Sequence, residues 1–162
     1  MPRPTHAAIR IALLALLLPA PAAADETTSG PVRVIDALTL EVGGTVMRLQ
    51  GIAAPRPGET CTIRGTAQPD CGALAATQLM DLTFGATVSC TPLGPGQEGA
   101  RPARCTNAGY DLAHGMVHSG WARALPGAPA ALHRIEAEAR AAGRGLWQEG
   151  FPASVERAAA GG

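Results

Sequence analysis

The sequence predicts an α+β fold: a five-stranded β-barrel of the OB type with about three helices. Three observations carry that expectation. Short runs of β-branched and apolar residues, divided by Gly-rich turns, occupy the start and the middle of the chain. Between and after them lie stretches whose apolar residues recur at helical spacing. The resulting order (strand, hairpin strand, loop, helix, strand, strand, helix, short strand, helix) implies antiparallel pairing. Closing those strands into a Greek-key barrel removes exposed edges.

The first 24 residues read as a secretory signal, outside the fold. Arg3 and Arg10 give a positive start, Ile11–Leu18 is an unbroken apolar run, and Ala22-Ala23-Ala24 fits the small-residue rule of a signal peptidase site, with cleavage after Ala24. The run is far shorter than the roughly 20 residues that span a bilayer. The expected address is the periplasm or the medium. The mature chain has 138 residues (162 less 24), a length that suits one domain. It keeps eleven arginines (thirteen less Arg3 and Arg10), no lysine and thirteen acidic residues, a net charge of −2. Phosphate neutralisation supplies most non-specific nucleic-acid affinity, so this balance counts against tight, unselective binding of nucleic acid.

Four cysteines remain: Cys61, Cys71, Cys90 and Cys105. An even count in an exported chain reads as two disulfides. Of the three pairings, Cys61–Cys71 with Cys90–Cys105 is favoured: the first closes a short polar loop and the second ties two successive strands. No C-x-x-C pair is present, so the spacing does not suggest a zinc site.

Residues 25–30 are polar and are expected to be a flexible lead-in to the domain, which spans 31–151. Val32-Arg33-Val34-Ile35 and Thr39–Val42 are β-type runs, Gly43-Gly44 is a hairpin turn signal, and Thr45–Ile52 is the return strand. Residues 58–70 read as a loop. A helix fits Gly72–Thr83, with Leu74, Leu79 and Leu82 on one face and Gly85 as its stop. Strands follow at 87–91 and 103–106, separated by a loop with three Gly and three Pro over 92–102. Asp111 is an N-cap for a helix Leu112–Ser119, and Gly120 suits the left-handed position after it. Trp121–Ala124 is a last short strand or an extended connection. A longer helix ends near Ala142, where Gly143 and Gly145 stop it. Leu146, Trp147 and Phe151 return apolar mass to the body, and 152–162 reads as a flexible tail.

Four stretches in the right order resemble the staphylococcal nuclease family: Val34-Ile35-Asp36-Ala37-Leu38-Thr39-Leu40, Met47–Pro55, Ala103-Arg104-Cys105 followed by Asp111-Leu112 and Met116–Ala122, and Ala137–Trp147. The resemblance covers about residues 32–151 and implies the barrel fold. It also implies a chemistry, calcium-assisted phosphodiester cleavage. That chemistry needs carboxylates for a hard cation, a glutamate to handle water and two arginines to stabilise charge on the phosphate.

Carried over residue by residue, the resemblance leaves most of that site empty. Asp36 is kept, but Leu38 and Ala53 stand at the two metal aspartates, and neither side chain can ligate calcium. Arg56 stands at the catalytic glutamate. Arg48 matches the first phosphate arginine. Ala100 falls at the second, with Arg101 one place away and usable only if the loop is shifted. No metal is therefore expected, and Asp36 is at most an outer-shell relic.

Other candidates have blander readings beside the sharp ones. Arg48 is either a phosphate contact or an ion-pair partner of Asp36. Arg56 and Arg64 join Arg48 in an anion patch or are solvated loop charges. Glu59 is the nearest carboxylate to replace the missing base. His114 and His118 have i, i+4 spacing but lack the acidic partner that a zinc site wants. His133 is expected on the exposed face of the last helix. Trp121 and Trp147 read as core, and Tyr110 as a turn residue.

The expected function is thus an exported, nuclease-like binding or interaction module, monomeric, without efficient hydrolysis. Nucleic acid or another envelope protein is the expected partner class. The alternative is a weak calcium-dependent endonuclease acting on DNA or RNA with relocated ligands from Glu59, Glu98 or Asp36.

Overall fold

The computed structural model describes residues 26–161 and Met1; the rest of the expected signal sequence lies outside the described residues. The first strands are Thr28–Gly30 (β1) and Val32–Val34 (β2), parted by Pro31. Proline brings no N–H to a ladder, and the chain changes partners there. The hairpin expected next is present as Thr39–Val42 (β3) and Thr45–Leu49 (β4), with Leu40 opposite Met47. Gly43 and Gly44 sit at φ 56° and 78°, the left-handed values of a tight hairpin turn.

The return strand stops at Leu49, three residues earlier than the sequence suggests, because Gly51 (φ 80°) turns the chain out of the sheet. Ile52–Ala53 (β5) then pairs with Arg123–Ala124 (β11), far along the chain. Residues 58–70, expected as a loop, contain a small hairpin, Cys61–Ile63 (β6) with Thr66–Gln68 (β7). Helix Cys71–Thr83 (α1) starts at Asp70, whose side chain accepts the Ala73 N–H at 2.8 Å. Val88–Pro92 (β8) and Arg101–Asn107 (β9) pair antiparallel, and Tyr110–Asp111 (β10) folds back on β9. Leu112–His118 (α2) has the expected Asp111 cap, and Gly120 the expected left-handed φ of 78°. Ala130–Ala141 (α3) is followed by a 3-10 turn over Gly145–Gln148 and by a further helix, Ala153–Ala160 (α4).

Among the described residues the fold is α+β, a curled, half-barrel mixed sheet with four helices. The sheet has seven strands, in the order β1-β8-β9-β4-β3-β2 with β10 added to β9, where five were expected. The two outermost strands, β1 and β2, are consecutive in the chain, joined by Pro31. β4 and β9 run parallel rather than antiparallel. The long excursion between them, through β5 to β8, lets the chain re-enter beside β4 in the same direction.

Both terminal segments depart from expectation. Part of the lead-in, Thr28–Gly30, is ordered by its ladder to β8. The tail expected to be loose is helical over Ala153–Ala160, because Val155 finds an apolar seat and is 2 % exposed. The disulfides are those favoured, Cys61–Cys71 and Cys90–Cys105, with Cα separations of 5.9 and 4.1 Å. Two disulfides fit an oxidising compartment.

The main core lies between the concave sheet and helices α1 and α2, with Leu40, Met47, Leu79, Leu112 and Met116 fully buried. A second cluster gathers Ala53, Leu146, Phe151 and Val155 beneath α4. Burying a valine or leucine side chain stabilises by about 1.5–3 kcal/mol, so Val155 anchors α4 to the body. No described helix is long and apolar enough to cross a membrane.

Candidate binding cleft

The structure brings Leu38, Arg48, Ala53, Ala54 and Arg56 to one cleft of about 400 Å³. Each is placed by a local cause. The Asp36 carboxylate accepts the backbone N–H groups of Leu38 and Thr39, both at 2.8 Å, and this Asx-type turn presents Leu38. The Leu38 carbonyl then takes the Leu49 N–H at 2.8 Å, which sets the turn against the end of β4. Arg48 is exposed on β4, and its Nη1 donates to Thr39 Oγ1 at 3.1 Å. The ion pair with Asp36, one of the two readings of Arg48, is not formed, and the Asp36 Oδ1 atom is committed to its own turn.

Beyond Gly51 the β5 segment carries Ile52, Ala53 and Ala54 along the floor. Arg56 opens a tight loop in which Glu59 is the hub. The Glu59 carboxylate accepts the Arg56 backbone N–H (2.9 Å), the Arg56 Nε (3.1 Å) and the Ser154 hydroxyl (2.8 Å). Burial by itself pushes this carboxyl's pKa up. The hydrogen bonds from the Arg56 N–H, Ser154 and the Arg56 guanidinium outweigh it and hold the pKa below the ordinary value. A carboxylate so committed is a poor general base. Asp70 also titrates low, because it accepts the N–H groups of Ala73 and Gly58 and so ties the same loop to α1.

The remaining wall comes from the tail. Ser154, Val155, Arg157 and Ala158 of α4 line the cleft, with Leu125 beside them. Sequence reasoning missed these residues. A signal was present: Pro152, apolar Val155 and Ala158 at i, i+3 spacing, and Gly161 as a stop. Three arginines thus share the cleft with Gln50, Ser154 and several apolar residues, and among the described residues no aspartate or glutamate lines it.

Calcium does not fit this donor set. Leu38 and Ala53 offer no oxygen from their side chains, Arg56 brings a cation, and Asp36, whose Oδ1 accepts two backbone N–H groups, is not among the lining residues. Among the described residues no group of three or more His, Cys, Asp or Glu side chains is placed to hold a metal.

Other candidates lie elsewhere. Arg101 starts β9 opposite Met47 and does not line the cleft; Ala100 bridges Gln97 in the preceding turn, and Glu98 sits exposed in that turn at φ 50°. Arg64 is at the exposed tip of the β6–β7 hairpin. His118 lies 3.3 Å from an Arg144 nitrogen, and His114 borders a second, mostly apolar cavity of about 370 Å³ with Arg104 and Leu132. His133, expected on an open face, is half-buried. Trp121 and Trp147 pack against the cores, Trp147 edge-on to Phe151 at 5.0 Å with the Arg123 guanidinium 4.9 Å from its ring centre. Tyr110 is half-exposed in its turn.

No protein-family model matches the chain, and no curated protein matches it.

Proposed function

We propose that this chain is an exported, nuclease-like domain of OB type that binds a phosphate-bearing strand in the Arg48–Arg56 cleft and does not hydrolyse it. The strand order supports the OB reading. The segment from β1 to β2 supplies both ends of the curled sheet; with that segment counted once and β10 set aside, five strands make up the half-barrel, with β4 and β9 parallel. Two disulfides and the leader-like first 24 residues favour the periplasm or the medium.

One observation carries the functional reading. The positions that the resemblance gives to metal and base hold Leu38, Ala53 and Arg56, and they share one cleft with Arg48. Arginine forks suit phosphate oxygens. Without an oxygen cage or a free carboxylate, the water-activating half of the reaction is missing, a loss worth orders of magnitude in rate. The apolar floor suits the less polar faces of bases or sugars.

The test uses the mature, oxidised protein and a fluorescently labelled single-stranded oligonucleotide. Anisotropy is expected to rise with protein, to fall with salt and to weaken in Arg48→Ala, while gels show intact oligonucleotide with or without calcium. Cleavage that needs calcium and disappears with chelator and with Arg48→Ala sinks this reading in favour of a hydrolase.

A further inference from the structure

We propose that helix α4 is a working wall of this cleft and that Arg157 is its third phosphate-binding arginine; the inference rests on the binding reading above. Four residues over little more than one turn of α4, Ser154, Val155, Arg157 and Ala158, line the cleft. The helix is held from three directions. Val155 is seated in the second core. On one flank Ser154 donates to Glu59 at 2.8 Å, within the loop that carries Arg56. On the other Glu156 takes an ion pair from Arg123, which also bonds Glu136 of α3 at 3.0 Å. These anchors fix the backbone that carries Arg157, so ligand binding has only the side chain itself to order.

Arg157 follows Glu156 directly, but that carboxylate is taken by Arg123. Among the described residues Arg157 has no ion pair, and it is exposed. Among the described residues Arg48 has no ion pair either, and its Nη1 donates to the Thr39 hydroxyl. The two are therefore free to take phosphate oxygens, whereas Arg56 must share its charge with Glu59. Both line one cleft, Arg48 from β4 and Arg157 from α4, so the two can take phosphates of one bound strand.

The experiment is a salt titration of affinity for the labelled single strand, with wild type, Arg48→Gln, Arg157→Gln and Arg134→Gln. Each phosphate contact on a single strand contributes about 0.7 to the slope of log K against log salt. Arg157→Gln is expected to weaken binding about tenfold, as for a charged hydrogen bond, and to lower the slope by about 0.7. Arg134→Gln, on the exposed side of α3, is expected to match wild type in both. A merely structural role for Arg157 would not change the slope. If Arg48→Gln weakens binding while Arg157→Gln keeps wild-type affinity and slope, α4 is not part of the site and the proposal falls alone. If the wild type does not bind, the reading beneath it falls as well.

Discussion

The Ser154 hydroxyl donates to the Glu59 carboxylate at 2.8 Å, joining residues 95 positions apart. That bond fastens the last helix to the loop after β5, the loop that presents Arg56. Ser154→Ala removes it and is expected to cost about 1 kcal/mol, with faster amide exchange confined to α4. The same carboxylate gives a pH signature. Its pKa is lowered from the ordinary 4.5. Its stabilising effect is therefore complete above the unfolded value and is lost as pH falls through the lower folded one. Denaturation midpoints measured down the acid range should drop below about pH 4.5, and Glu59→Gln should flatten part of that drop. Asp70, also lowered, contributes with the same sign.

Gly72 sits where α1 passes under the Arg56 loop. A Cβ there would come within 2.2 Å of the Arg56 carbonyl carbon and oxygen and 2.4 Å of the Pro57 nitrogen, all of them backbone atoms that cannot swing aside. Gly72→Ala is expected to destabilise by about 1–3 kcal/mol, as overpacking does, and to displace Arg56. Chemical denaturation and oligonucleotide affinity should both suffer, whereas Gly58→Ala, open but at φ 78°, should lose only stability.

Cys90 and Cys105 face each other across β8 and β9 and are buried, closing a separation of 15 residues. Replacing both by alanine is expected to cost about 3 kcal/mol. The Cys61–Cys71 bridge spans only 10 residues at a partly open hairpin, and its loss should cost less. Urea midpoints of the two double variants check the ranking.

Leu38 is 6 % exposed at the foot of the cleft. Leu38→Asp is expected to destabilise by about 1–3 kcal/mol, the cost of a buried polar group without partners. Combined with Ala53→Asp it should introduce a calcium-dependent rise in melting temperature that the wild type lacks. Thermal scans with calcium and with chelator distinguish the two. Absence of any calcium effect in the double variant would mean that these two changes do not make the cleft an oxygen cage.

The hairpin at Gly43-Gly44, the Asp111 cap with its Gly120 stop, α1 and the two disulfides were legible, because each rests on contacts within a few residues or on turn chemistry. The parallel pairing of β4 with β9 and the β5–β11 pair were not. Their partners lie some 50 and 70 residues apart, and period-2 runs name a strand without naming its neighbour. Within the site, the alignment of motifs identified Leu38, Arg48, Ala53 and Arg56, and the structure places them together. Arg101 is absent from the cleft because β9 presents it beside Met47, away from the lining.

The sequence by itself determined the identities at the cleft: no carboxylate at positions 38, 53 or 56, and arginine at 48 and 56. It also determined the local turns and caps that present them. Only the tertiary structure decided what faces them. A short segment with one valine and a few alanines is too weak a helix to form alone. It becomes α4 when Val155 is buried and Ser154 and Glu156 find Glu59 and Arg123. Helicity in so short a piece comes from packing, and packing partners remote in sequence bring Arg157 to the cleft.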